Sequence, residues 1–301
     1  ALLILVAVFL WPTEPPTIRL VNARQITSVL GVEDYPTWSP DGRKVAYTAS
    51  QTIGAPFGNW DIWVTQSDGG QPVNRTKDYN GLDTQPSWSP DGKQIAFWSN
   101  GNGGGYFVMP ELAGAPRKVI SGNPILLPRI PPRWSSDGTE LAGVLHDTTG
   151  VYVRIVSIQN SGISRKVLLH GRTGNTCLDL SWSHDQRLFA YVSATDGSAH
   201  VTEIWITNLE SGRGFQVTDG WYNDWNPEFS ADGRTLYFIS NRGGSMDLWQ
   251  QRLMEGGQPE GEPEPITTGI GIRQSAFSPD GTRMMYSKGR PISNIWRIPI
   301  L

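Results

Sequence analysis

The chain has 301 residues, of which 34 are glycine and 22 proline; 18 % are charged and the formal net charge is −3. A mildly acidic chain without a run of Lys or Arg excludes nucleic acid as the expected partner. The lone cysteine, Cys177, excludes an internal disulfide and any cysteine-based metal site.

The first stretch, residues 1–11, is uniformly apolar and does not alternate. It is shorter than the ~20 residues that cross a bilayer. It reads as the end of a transmembrane helix with Trp11 at the interface, or as a signal-peptide core, with a buried element of the folded domain as the third reading. Residues 12–16 are proline-rich and read as a stiff linker. The folded domain is then residues 17–301, and the membrane is expected to be met only through that first segment.

Next comes Thr17 to Thr27, a strand-like run ending Arg-Gln-Ile-Thr, and then the stretch that organises the rest: Pro36 to Tyr47, PTWSPDGRKVAY. Five further copies follow with drift. Their marker aromatics are Trp38, Trp88, Trp134, Trp182, Phe229 and Phe277, at steps of 50, 46, 48, 47 and 48 residues. A near-constant period of this size marks a repeat architecture. Each copy has hairpin chemistry: an apolar run ends in Ser-Pro-Asp-Gly, where Pro presets φ, Asp accepts backbone hydrogen bonds and Gly takes positive φ. A β-forming run such as Ile95-Ala96-Phe97 returns.

A third run follows in each copy, for example Asp61-Ile62-Trp63-Val64 or Glu203-Ile204-Trp205-Ile206, and then a fourth ending near Thr76, Thr218 or Thr267. Four strands per ~48 residues is the arithmetic of a propeller blade. The sixth copy runs out after its third strand, and the Arg-Gln-Ile-Thr ending near the N-terminus supplies what is missing. The sequence therefore predicts an all-β, six-bladed β-propeller of four-stranded antiparallel blades, closed by an N-terminal strand that completes the last blade and leaves no open edge.

Residues that return once per blade are read as packing. This covers the aromatic markers, Trp63, Trp205, Trp249 and Trp296, and the turn aspartates Asp41, Asp91, Asp137, Asp185, Asp232 and Asp280. In the fourth copy Gln186 stands where the others have Gly, which predicts backbone strain of about 1 kcal/mol if φ is positive there.

Function is therefore sought in what does not repeat. The loops leading into the inner strands, and those joining second to third strands, share the face around one mouth of the central channel. The candidates there are Asp34, Tyr35, Phe57, Trp60, Asp83, Arg129, Asp179, Trp221, Tyr222, Asp224, Trp225 and Arg273, with Arg242 and Arg290 as further cations. Mixed charge with aromatics is the composition of a recognition surface. Catalytic motifs are not found. Gly243-Gly244-Ser245-Met246-Asp247 is not a nucleophile elbow, and the histidines His146, His170, His184 and His200 have no metal-ligand spacing. No cofactor and no metal are expected.

The pattern Trp38-Ser39-Pro40-Asp41-Gly42, with Ile95-Ala96-Phe97, Asp61-Ile62-Trp63 and the closing Thr76, resembles the TolB-type (WD-like) propeller repeat. That resemblance implies the six-bladed fold. It also implies three functional settings: TolB, which binds a lipoprotein partner at the channel mouth; propellers that precede prolyl-oligopeptidase-like hydrolase domains; and extracytoplasmic propellers of bacterial membrane-anchored regulators. The expectation is a monomeric, non-enzymatic sensor or scaffold of the third kind, taking a protein, peptide or small ligand at the channel mouth. The alternative is a substrate-gating propeller of a hydrolase, or a metal-dependent propeller lyase.

Overall fold

The computed structural model describes residues 23–27, 32–50, 60–122, 130–147, 150–160, 164–169, 177–194, 201–288 and 294–299. Phe57, Arg129 and Arg290 of the sequence candidates, and the apolar segment 1–11 with its linker, lie outside them.

Six four-stranded antiparallel sheets follow one another in chain order. Blade 1 comprises Val32–Trp38, Lys44–Ser50, Trp60–Gln66 and Val73–Asn74; blade 2, Asp83–Trp88, Gln94–Ser99, Gly105–Pro110 and Arg117–Ser121. Blade 3 comprises Arg133–Trp134, Glu140–Asp147, Gly150–Ser157 and Ser164–Leu168; blade 4, Cys177–Trp182, Leu188–Ala194, Thr202–Asn208 and Gly214–Gln216. Blade 5 comprises Asp224–Phe229, Thr235–Ser240, Asp247–Leu253 and Pro259–Pro265. Blade 6 has Gln274–Phe277, Arg283–Lys288 and Asn294–Pro299, and its outer strand is Arg24–Gln25. Among the described residues the only helical element is a short 3-10 turn at Gly101–Gly103.

The inner strands touch their neighbours all round, and that of blade 1 meets that of blade 6. The ring is closed as the sequence predicts. Arg24 pairs with Arg297 and Gln25 with Trp296, and the N–H of Ile26 donates to the carbonyl of Ile295 at 3.0 Å.

The first turn of every blade is built alike. In blade 1 the Ser39 hydroxyl donates to Asp41 at 2.6 Å, the N–H of Arg43 donates to the same oxygen at 3.1 Å, and Gly42 has φ 67°. The serine–aspartate bond recurs at Asp91, Asp137, Asp185, Asp232 and Asp280. These bonds hold Asp41 below the usual carboxylate range and lower Asp280 to about 2. Gln186 does take the positive φ, 63°, and its amide donates across the blade boundary to Ser136 at 2.9 Å.

Six apolar clusters carry the core, and each spans a blade boundary. The six marker aromatics and Trp63, Trp205 and Trp249 sit in or against them, as expected of once-per-blade packing. One boundary departs from the rule. At the second-strand position of Tyr47, Phe97, Tyr191, Phe238 and Tyr286, blade 3 has Gly143. Blade 2 compensates with Tyr106, where the other third strands carry Ile62, Val153, Ile204, Leu248 and Ile295. The Tyr106 ring comes within 2.5 Å of where a Cβ on Gly143 would stand, and its hydroxyl bonds both the carbonyl and the N–H of Val144 at 3.1 Å.

Candidate functional site

The inner strands do not run straight down the channel. Their pairing with the second strands slips at Asp34/Thr37, Thr84/Ser87, Cys177/Asp179 and Trp225/Glu228. Tyr35, Gln85 and Asn226 take left-handed φ of 51°, 58° and 52° at three of these slips. A proline follows each of the three, Pro36, Pro86 and Pro227. Proline is tolerated there because one edge of the inner strand faces the channel and needs no ladder bond, and a bulge re-aims the side chains beside it.

The sequence places Asp34, Asp83, Asp179 and Asp224 in loops, but all four lie in inner strands and are at most 4 % exposed. Three face a guanidinium. Arg273 of blade 6 reaches Asp34 at 2.7 Å, Arg133 of blade 3 lies 3.6 Å from Asp179, and Arg242 meets Asp224 at 3.1 and 3.2 Å. Burial still pushes each of these carboxyls up, against the pull of its arginine. Among the described residues Asp83 has no cation. Burial raises it to about 7; the Ser99 and Thr76 hydroxyls stand near enough to lower it somewhat, and Asp61 raises it further, yet neither carboxylate oxygen completes a hydrogen bond.

Among the described residues blade 5 carries the most prominent aromatic feature on this face. The Arg242 guanidinium is stacked among three rings, with its carbon 5.3 Å from the Tyr222 centroid, 5.2 Å from that of Phe238 and 5.4 Å from that of Trp249. Asn241 accepts the N–H of Asn223 at 2.8 Å and Thr202 accepts that of Asp224 at 2.7 Å, so the loop ahead of the strand is held at two points. On this base Tyr222 is 38 % exposed and Trp221 is 80 % exposed. Trp225 packs partly buried against the clusters on both sides of its blade, and Trp60 is half-buried, its indole N–H without a partner among the described residues.

The opposite end of the channel is hollow as well. A cavity of about 700 Å³ is ringed by the first turns of blades 2 to 6. Its walls include the marker aromatics Trp88, Trp134, Trp182, Phe229 and Phe277, so residues read from sequence as packing alone also line a cavity. Arg133 and Glu228 line both this cavity and a narrower space of about 140 Å³ farther along the channel, which Tyr35, Asp179 and Asn226 also line. Besides its contact with Asp179, Arg133 donates to the Leu180 carbonyl. Among the described residues Glu228 accepts only the N–H of Phe277, at 3.3 Å. Burial pushes its carboxyl up to about 7, although Arg133 and the Phe277 N–H draw it down.

The fold thus brings Asp34 to Arg273 and sets Tyr222 on Arg242. It does not gather the predicted aspartates into one exposed group. Sequence reasoning missed Arg133 and Glu228. Their signal lay one residue before the marker aromatics, where the other copies have Thr37, Ser87, Ser181 and Ala276. Among the described residues no group of three or more His, Cys, Asp or Glu side chains is placed to hold a metal ion.

Comparison with known proteins agrees with the propeller fold. Over 72 residues the chain is 35 % identical to the uncharacterized protein Atu1656 of Agrobacterium fabrum, a match covering 24 % of each chain. Over 111 residues it is 30 % identical to the uncharacterized peptidase YuxL of Bacillus subtilis, covering 36 % of this chain and 16 % of that one. The chain therefore spans a quarter or less of the curated relatives it matches. The crystal structure of TolB from Acinetobacter baumannii superposes with a TM-score of 0.66 at 16 % identity, over 86 % of this chain and 64 % of that one, which is a likeness of fold. The PD40 family, the TolB beta propeller domain, matches residues 114–297, more than half of the sequence, and the chain belongs to that family.

Proposed function

We propose that this propeller is a non-enzymatic binding module that holds a protein partner on the face around Trp221, as the extracytoplasmic sensor or scaffold of a membrane-anchored bacterial regulator. The observation that carries the reading is Trp221, 80 % exposed above the Tyr222–Arg242 stack. A large apolar side chain held out on a braced loop loses little conformational freedom on binding, and Trp, Tyr and Arg are the residues that dominate interface energies. The aspartates of this face are buried inside the ring, so the aromatics and the loops beside them are what a partner would meet. The apolar segment 1–11 and the prolines after it support a tether.

A photo-crosslinking residue at position 221 in the native host tests the reading. It should trap one protein partner, and Trp221→Ala should weaken that partner's binding at least tenfold while the melting temperature stays unchanged. Equal binding by Trp221→Ala and the parent would rule this face out. The likeness to the Bacillus subtilis peptidase supports a second reading, a propeller that gates a hydrolase. Peptide turnover by the full-length protein that is lost when the propeller is removed would favour it.

A further inference from the structure

We propose that the cavity on the turn face binds a small organic monocation with an apolar body, its nitrogen beside Glu228 and its body between the aromatic rings of neighbouring blades. This site lies at the end of the channel away from Trp221 and stands whatever that face holds.

Three observations converge. At about 700 Å³ the cavity is within the range that encloses small ligands. Its walls carry Trp134, Trp182, Phe229 and Phe277, whose ring faces attract cations, most strongly where water is excluded. The charges near its floor do not balance. Arg133 is answered by Asp179 at 3.6 Å and by the Leu180 carbonyl, which leaves Glu228 with one backbone N–H and no ion pair among the described residues. One positive charge is wanting, and the ligand would supply it.

The repeat acts as its own control. At the position of Glu228 the other blades have Thr37, Ser87, Arg133, Ser181 and Ala276. A carboxylate there is no requirement of the blade, whereas the turn aspartates recur in all six.

The chemistry predicts a pH dependence. The titratable groups that act on Glu228 are Arg133, Asp179 and Tyr237, and His184 also lines the cavity. Glu228, raised by burial to about 7, is mostly protonated at pH 6 and mostly ionised at pH 8. A cation prefers the ionised form, so its affinity should rise about tenfold over that interval. An uncharged ligand of the same shape should show no such rise.

The test uses the propeller with phenethylamine, phenethyl alcohol and phenylacetate, read by tryptophan fluorescence and calorimetry. The amine is expected to bind at least tenfold tighter than the alcohol at pH 8. Glu228→Gln, which keeps an acceptor for the Phe277 N–H, should abolish that preference and leave the alcohol's affinity alone. The proposal is overturned if the parent does not bind the amine, if phenylacetate binds best, or if Glu228→Gln retains the preference. Should that variant fail to fold, a pH-independent amine affinity in the parent overturns it equally.

Discussion

The hydroxyl of Thr27 accepts a hydrogen bond from the backbone N–H of Ile295 at 3.0 Å, joining residues 268 positions apart. Thr76 serves Ile62 in the same way at 3.0 Å, Thr218 serves Ile204 at 2.9 Å and Thr267 serves Leu248 at 2.9 Å. The N-terminal strand therefore takes over, atom for atom, the role that the fourth strand plays in other blades. Thr27 also donates to Glu33 of blade 1, so the same hydroxyl ties blade 6 to its neighbour.

Thr27→Val tests the closure. It keeps the shape of the side chain and removes the acceptor, leaving the buried Ile295 N–H unpaired at a cost of about 1–3 kcal/mol. The melting temperature should fall by several degrees, as it should for Thr76→Val. If Thr76→Val is destabilised and Thr27→Val melts like the parent, the ring is not fastened at this bond.

Asp83 should make stability pH-dependent. Its carboxyl, raised to about 7, binds a proton more tightly in the folded state than in the unfolded chain. The stability this contributes is present below about pH 4 and is lost as pH rises through 7. Asp83→Asn has no charge to bury and should be more stable than the parent at pH 8, by about 1–3 kcal/mol, with the gap closing toward pH 4. Denaturant titrations at the two pH values measure this, and an equal difference at both would remove the charge as its cause.

Blade 5 shows the other solution to the same problem. Its Ser240-Asn241-Arg242 matches Ser99-Asn100-Gly101 of blade 2, but the arginine reaches back to Asp224, which is fully buried. Arg242→Met should cost about 3–5 kcal/mol by leaving that buried carboxylate without its cation. Trp221→Ala, on the exposed loop nearby, should stay within about 0.5 kcal/mol of the parent. Chemical denaturation separates the two, and a mild effect at Arg242 would show that the stack is not what braces this face.

Tyr106 and Gly143 should be strongly coupled. Gly143→Phe alone drives a ring into the space that Tyr106 holds and should cost at least about 3 kcal/mol. Adding Tyr106→Ile restores the pairing used by other blades and should recover about 2 kcal/mol or more, a coupling far outside additivity. Simple addition of the two single effects in a double-mutant cycle would mean that the substitutions do not share that space.

The blade count, the hairpin turns, the once-per-blade aromatics and the closing N-terminal strand were all legible from residue order. Each rests on local chemistry repeated at a fixed interval: Pro and Gly fix φ within four residues, alternation fixes which side chains face inward, and the period fixes the next blade. Even the strain at Gln186 follows from its place in the turn.

Which charges meet is a different matter. Asp34 and Arg273 are 239 residues apart, and no periodicity links them. The pairing exists because the ring brings blade 6 back against blade 1, and the bulges marked by Pro36, Pro86 and Pro227 turn nearby side chains about the channel. The same closure gives the cavity its walls, because the marker aromatics lie far apart along the chain and converge only when five blades stand around one axis. Residue order determined the blades and their number; the tertiary structure decided which polar groups are buried, which are answered and where the ring opens, because those depend on distances across blades that only the closed circle defines.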